Sequence, residues 1–251
     1  RNLIINGAMQ VSQRASSFSF AHDGTTIAYT LDRFRFAISG CSQYDCTVAP
    51  DGESPDGFAN SLKVTTGTAE TTIAAGNLVR LGQRLEAQNI QHFDFGATSA
   101  KTFTLSFWVR SSITGTYGLN FYRTDAYRNR TTTYTISSAN TWEYKTVTLT
   151  GDTTVSVDDN NENGMQVDWI LASGSTFDST DATAWGAYSS SRFAFGHAQD
   201  GVVTTAGATW HLTGVQLEIG EKATPFEHRN ITEVLAMCQR HYQRGRGTLY
   251  V

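Results

Sequence analysis

Two stretches of the chain place aromatic rings beside planar polar side chains. The first is Tyr122-Arg123-Thr124-Asp125-Ala126-Tyr127-Arg128-Asn129-Arg130. The second is a Ser/Thr-rich segment, Gly174 to Ser191, that carries Trp185 and Tyr188. A sugar ring presents apolar C–H faces that stack on Trp or Tyr, and its hydroxyls exchange hydrogen bonds with Asp, Asn and Arg. Tyr122, Asp125, Tyr127, Arg128, Trp185 and Tyr188 are therefore the candidates for carbohydrate binding. The competing reading has Trp185 plug one end of the fold while the tyrosines pack at a subunit interface.

Catalytic patterns are missing. Histidines stand at 22, 92, 197, 211, 228 and 241, without His-Glu-x-x-His or paired Cys ligand spacing. There is no Gly-x-Ser-x-Gly elbow and no phosphate-binding loop. Glycoside hydrolysis needs two carboxylates roughly 5–10 Å apart, and Asp94, Asp125, Asp168, Glu143 and Glu218 are the groups that folding would have to bring together. Glu218 and Glu227 are instead expected to order the last strand and the corner after it. One segment offers a cation site: Asp159, Asn161 and Asn163 before Gly164 match the first half of a calcium loop. Its twelfth position is Ile170, so an Asn/Asp turn is preferred. No catalytic residue and no cofactor are expected.

The elements that would hold these groups are short strands. The chain has 251 residues with 22 Gly and 3 Pro, a balance suited to many turns rather than long helices. Its net charge of −4 is dispersed, without the basic stripe that nucleic acid would require. Arg229, Arg240, Arg244 and Arg246 read as a solvated helix face. No apolar run is long enough to span a membrane, and there is no signal peptide. The start at Arg1 without Met reads as a fragment or a processed product. Of three cysteines, Cys41 and Cys46 are close enough for a local bridge and Cys238 is expected as a buried thiol, with folding in a reducing cytoplasm the simpler assumption.

Alternation is clearest from Thr102 to Ser111. Phe103, Leu105, Phe107 and Val109 form one face; Thr104, Ser106, Trp108 and Arg110 form the other. Trp108 then needs cover from a loop, the last helix or another subunit, or is exposed for binding. Further strands are expected at Asn2–Gly7, Tyr29–Phe36, Ser61–Thr65, Tyr117–Phe121, Thr131–Ile136, Trp142–Leu149, Val167–Leu171 and Thr209–Ile219. Val79 to Asn89 suits a strand or a short helix. Trp142, Trp169 and Trp210 are expected in or near the core. The pattern is that of an all-β, antiparallel jelly-roll sandwich over residues 1–229.

Residues 230–251 add a short C-terminal helix and tail. Asn230 caps the helix while Glu233 reaches back. Ile231, Val234, Leu235, Cys238 and Tyr242 share a stripe, and Gly245 and Gly247 end it. A helix of about 14 residues is marginal alone, so it needs a docking surface in its own sandwich or a neighbouring chain. Trp108, Ile231, Val234, Leu235 and Tyr242 are the candidates for an oligomer interface.

An ordered set of motifs resembles bacteriophage tail-fibre and receptor-binding proteins. The opening Asn2 to Gly7 with Gln13-Arg14, and Tyr29 with Asp32-Arg33-Phe34, resemble the start of that domain. Leu105-Ser106-Phe107-Trp108-Val109-Arg110-Ser111 and Thr141-Trp142-Glu143 are similar to its middle. The Trp185 loop, Trp210, and the run from Thr213 through Ala223-Thr224-Pro225-Phe226-Glu227-His228-Arg229 to Tyr242 are similar to its end. Phe34 stands where the family often has Trp, and His241 where it often has Tyr. The resemblance implies a jelly roll of the carbohydrate-binding-module type on a virion appendage, made in the host bacterial cytoplasm and commonly trimeric, with a further domain often following the helix. The partners it implies are copies of itself, other virion proteins and host surface glycans. A purely structural fibre, head or tail decoration domain is the alternative, and a polysaccharide depolymerase a third reading.

Overall fold

The computed structural model describes residues 1–21 and 24–244; Gly245, Arg246 and Gly247 lie outside the described residues. The strands are β1 (Phe18–Phe20), β2 (Gly24–Tyr29), β3 (Phe34–Cys41), β4 (Cys46–Asp51), β5 (Ser61–Thr66), β6 (Leu78–Glu86), β7 (Phe103–Ser111), β8 (Gly115–Arg123), β9 (Arg128–Ile136), β10 (Glu143–Leu149), β11 (Asn163–Ser173), β12 (Gly186–Ala187) and β13 (Thr209–Ile219). They form two antiparallel sheets, ordered β1-β4-β5-β13-β7-β10 and β12-β9-β8-β11-β6-β3-β2. This is an all-β jelly-roll sandwich with few helical residues. Among the described residues no helix is long and apolar enough to cross a membrane.

The core sits between the sheets because successive side chains of a strand point to opposite faces. Phe103, Leu105, Phe107 and Val109 of β7 are all fully buried and face Val167, Trp169 and Leu171 of β11. Phe107 meets Trp169 edge-on, with ring centroids 5.7 Å apart. Trp210 is fully buried as expected, but Trp142 is half-buried before β10, beside the His211 ring.

Several expected elements change form. Asn2–Gly7 is not a strand. Its polar side chains supply the pairing that a neighbouring strand would otherwise give: Asn2 Nδ2 donates to Val215 O (3.1 Å), and Asn2 Oδ1 accepts from Ile4 N (3.0 Å) and Leu217 N (3.1 Å). Tyr29–Phe36 is broken by a turn at Leu31–Arg33, where Arg33 has φ 74° and Thr30 N donates to Phe34 O. The turn resets the alternation, so Leu31, Phe34 and Phe36 are all buried. Leu78–Glu86 resolves the ambiguous segment as a strand, followed by two short 3-10 turns. The expected link from Tyr122 to Arg130 shrinks to a hairpin turn over Thr124–Tyr127, with Tyr127 left-handed at φ 50°.

The Gly174–Ser191 segment is more structured than its composition suggests. It opens with α1 (Ser175–Asp178) and contributes β12; α2 (Gly201–Thr204) follows it. Phe177, Tyr188, Phe193 and Ala194 pack on Leu78 and Ile170, which lays this segment over the outer face of the seven-stranded sheet.

The last helix, α3 (Ile231–Gln239), is shorter than expected. Asn230 caps it, accepting from Thr232 N at 2.9 Å, but Glu233 pairs with Arg229 (3.7 Å) instead of reaching back. Its apolar stripe docks on the chain itself: Val234 and Cys238 pack with Val11, Ile5, Leu235 and Met237. Val234 is thereby spent internally and withdrawn from the expected oligomer surface. Tyr242 lies beyond the helix under the Arg14 guanidinium (3.7 Å to the ring), Leu235 is half-buried, and Ile231 stays exposed. Trp108 leans on Tyr144 (5.3 Å) on the outer face of the six-stranded sheet. Gly214, at φ 60°, lets Phe58 and Trp108 close over the backbone there. Cys41 and Cys46 form no bridge; both are buried free thiols like Cys238, and burial pushes all three up to about 12.

Candidate functional site

The register of the seven-stranded sheet aligns polar side chains on its outer face. One row runs Arg35, Gly82, Asp168, Asn120 across β3, β6, β11 and β8; the next runs Arg84, Gln166, Tyr122, Asn129 across β6, β11, β8 and β9. Asp168, 1% exposed, is the centre. It accepts from Gln166 Nε2 (2.6 and 2.7 Å), Arg80 Nη1 (3.2 Å) and Asn120 Nδ2 (3.3 Å). Gln166 Oε1 in turn accepts from both Arg35 Nη2 (3.0 Å) and Arg84 Nε (3.1 Å). Gly82 makes room for the centre: a Cβ there would collide with the Asp168 carboxylate and stand 2.8 Å from Val167 O. A buried carboxylate is retained only when such partners replace its water.

Aromatic groups flank the network. Tyr122 and Tyr188 stack with centroids 4.4 Å apart, and Arg80 lies 4.6 Å over the Phe193 ring. Beside them is a cleft of about 170 Å³ between Ile27 and the Phe177–Phe193 side, floored by Ala37, Ser39 and Arg80. Three guanidiniums here answer one carboxylate. Arg35 is lowered to about 10, first by burial and then by its neighbours Arg84 and Arg80. The face thus offers a half-buried aromatic pair, fixed planar donors and a net positive field.

The sequence-nominated residues divide between two places. Tyr122 and Tyr188 meet on this face, with Tyr127 at the hairpin tip, 71% exposed, its carbonyl accepting from Tyr188 N (2.8 Å). Asp125 lies in the hairpin turn, accepts from Asp158 N (3.2 Å), and is raised by burial. Arg128 and Trp185 lie instead at an open end of the sandwich, in a groove of about 540 Å³ with Arg130, Thr150 and Asp152. There Arg128 Nε donates to Asp152 Oδ2 (2.8 Å), and Trp185 Nε1 donates to Thr150 O (2.8 Å) while its ring rests 6.2 Å from Phe95. Trp185 thus plugs the sandwich end, as in the competing reading, while still lining the groove.

Asp159 and Asn161 lie in a bend joined to the 3-10 turn at 87–89, and Asn163 opens β11. Ala87 N donates to Glu162 O and Gln88 N to Asn160 O, at 2.9 and 2.8 Å. A different set clusters near His211: Asp51 and Glu53 have ligand atoms within 4.8 Å of its ring. Lys63 (3.0 Å to Asp51) and Arg110 (2.9 Å to Glu53) already hold those carboxylates, and two cations beside the cluster oppose a third. His211 is fully buried with neither ring nitrogen bonded, and is lowered to about 4 by burial, then Arg110 and Lys63. Between about pH 6.5 and 4 the unfolded chain therefore binds the extra proton. Stability is expected to fall as pH drops through that window, by on the order of 3 kcal/mol from this group. Urea titrations at several pH values check this, and His211→Phe is expected to flatten the slope.

Arg35, Arg80, Arg84, Gln166 and Asn120 were not nominated from sequence. Period-two spacing gives the signal, since Arg80 and Arg84, Gln166 and Asp168, and Asn120 and Tyr122 each share one side of a strand. Which strands become neighbours, and in what register, is what brings them together.

No family model matches the chain, and no curated protein matches it. Solved structures do. One is the enzymatically active domain of bacteriophage CBA120 tailspike protein 4, at 11% identity and TM-score 0.43, over 87% of this chain and 21% of that one. A putative sugar binding protein from Bacteroides thetaiotaomicron matches at 13% identity and TM-score 0.44, over 88% of this chain and 100% of the other. TmCBM61, solved with β-1,4-galactotriose, matches at 8% identity and TM-score 0.37, over 88% and 99%.

Proposed function

We propose that this protein is a non-enzymatic attachment domain that binds cell-surface glycans on the outer face of its seven-stranded sheet. One observation carries the reading: the stacked Tyr122–Tyr188 pair stands beside fixed planar donors, Arg35 and Arg84, gathered by the Gln166 amide oxygen on the same face. Sugar recognition needs an aromatic surface for the ring and oriented polar groups for its hydroxyls. A second tyrosine behind the first stiffens the platform and lowers the entropy lost on binding. The carboxylates a hydrolase would need are engaged separately: Glu143 by Ser137 N and Ser138 N, Glu218 by Thr224, Asp168 by the arginine network, and Asp94 by Ser99. The ordered motifs that resemble phage tail fibres support placing such a domain on a virion appendage.

A glycan array with the intact protein tests the reading, and binding to no glycan would sink it. Tyr188→Ala is expected to weaken any bound glycan about tenfold, or about 1.4 kcal/mol, while the half-buried ring's removal leaves the fold intact. Unchanged affinity would move the site off this face.

The architectural reading has its own support in Trp108 and Tyr144, which pair on the outer face of the other sheet with Tyr144 43% exposed. In that reading copies of the chain assemble, as trimers on a fibre, through this pair and Ile231. Light scattering after size exclusion decides it: a trimer dispersed by Trp108→Ala supports it, and a monomer contradicts it.

A further inference from the structure

We propose that the glycan taken by this face is acidic, with a saccharide carboxylate held between the guanidiniums of Arg35 and Arg84. The inference rests on the glycan-binding reading above and names the ligand class.

Its basis is an imbalance in the polar network. Arg35 and Arg84, from adjacent strands, both donate to one acceptor, the amide oxygen of Gln166. That oxygen is neutral and cancels neither charge. Each guanidinium has five N–H donors, and the further donors of Arg35 and Arg84 have no hydrogen-bond partner among the described residues. The one carboxylate in the network, Asp168, is already engaged by Gln166, Arg80 and Asn120. The network of Arg35, Arg80 and Arg84 around Asp168 therefore keeps two more positive than negative charges, in a chain whose net charge is −4. General basicity does not account for it.

Like charges are drawn together at a cost unless an anion completes the site. A planar carboxylate matches the guanidinium fork, whereas a neutral hydroxyl satisfies donors and leaves the charge. The register supplies the other half of the ligand's surroundings. Gln166 is the cross-strand partner of Arg84 on one side and of Tyr122 on the other. Tyr122 and Arg84 are thus two strands apart, about 10 Å at the backbone. A saccharide ring lying on the tyrosine places its carboxylate toward the fork.

The test compares polygalacturonate, alginate and polysialic acid with their carboxyl-reduced forms, by titration calorimetry on the whole protein at low and high salt. At least one acidic polymer is expected to bind, with affinity falling as salt rises. Its reduced form is expected to bind about tenfold or more weakly, the loss of a charge-assisted hydrogen bond. Arg84→Gln should lose the same factor and Arg84→Lys, which keeps the charge without the fork, less. The comparison of native with reduced polymer needs no variant to fold. Equal binding of the reduced forms, or binding of neutral glycans alone, overturns the acidic assignment and leaves the glycan reading standing. Binding of none of the six polymers, and of nothing on the array, overturns both.

Discussion

Asp168→Ala is expected to destabilise the fold by on the order of 3 kcal/mol and to abolish glycan binding. The carboxylate is buried at the middle of the sheet's outer face, and four donor contacts end on it, from three residues. Truncation leaves the Gln166 and Asn120 amides without an acceptor, and Arg80 without its counter-charge. Gln166 is then free to rotate, and the oxygen that gathers Arg35 and Arg84 is lost with it. Affinity falls because the donors scatter, although Asp168 itself touches no ligand. Asp168→Asn keeps the shape and one acceptor, so its effect should be smaller on both counts. Urea unfolding alongside glycan titration reads the two losses. Full stability with Asp168→Ala would mean that the network is not held by its centre.

Arg123→Ala should cost about 3–5 kcal/mol, for the same reason, at the open end of the sandwich. Arg123 is fully buried although it carries a charge. Its Nη1 donates to Asp152 Oδ2 (2.9 Å) and Val155 O (2.6 Å), its Nη2 donates to Ser156 O (3.0 Å), and its plane lies 4.7 Å over Phe95. One side chain thus ties the β8–β9 hairpin to the 152–156 segment. Removing it strands two carbonyls, leaves Asp152 with Arg128 and the Thr154 N–H, and opens a hole beside Phe95. Arg123→Lys should recover little, because an ammonium cannot reproduce the fork. The loss should be in stability without a matching loss in glycan affinity, since the end groove is not the binding face. A variant that stays stable but loses glycan would point to the Arg128–Trp185 groove instead.

What was legible in the sequence follows how local its cause is. The β7 alternation from Phe103 to Val109 sets its own face, and the Asn230 cap needs only the next turn, so both were readable. Asn2–Gly7 reads as a strand by composition, yet its side chains take the bonds a neighbouring strand would. Tyr29–Phe36 alternates well but hides a left-handed residue at Arg33. For the site, residue type nominated Tyr122 and Tyr188, and the loop laid over the sheet stacks them. The same reasoning nominated Arg128, which sits on the core-facing side of β9 at the sandwich end, one residue from outward-facing Asn129. A one-residue change of side is invisible without the register. The arginine pair was hidden for the same reason, since Arg35 and Arg84 come from strands about fifty residues apart and converge only through Gln166.

The most direct measurement is an NMR titration of the arginine Nε–Hε signals with whichever glycan the array identifies. Shifts at Arg35, Arg80 and Arg84, with Arg128 and Arg130 unmoved, are the predicted result. Shifts confined to Arg128 and Arg130 would place the glycan in the end groove and contradict the account.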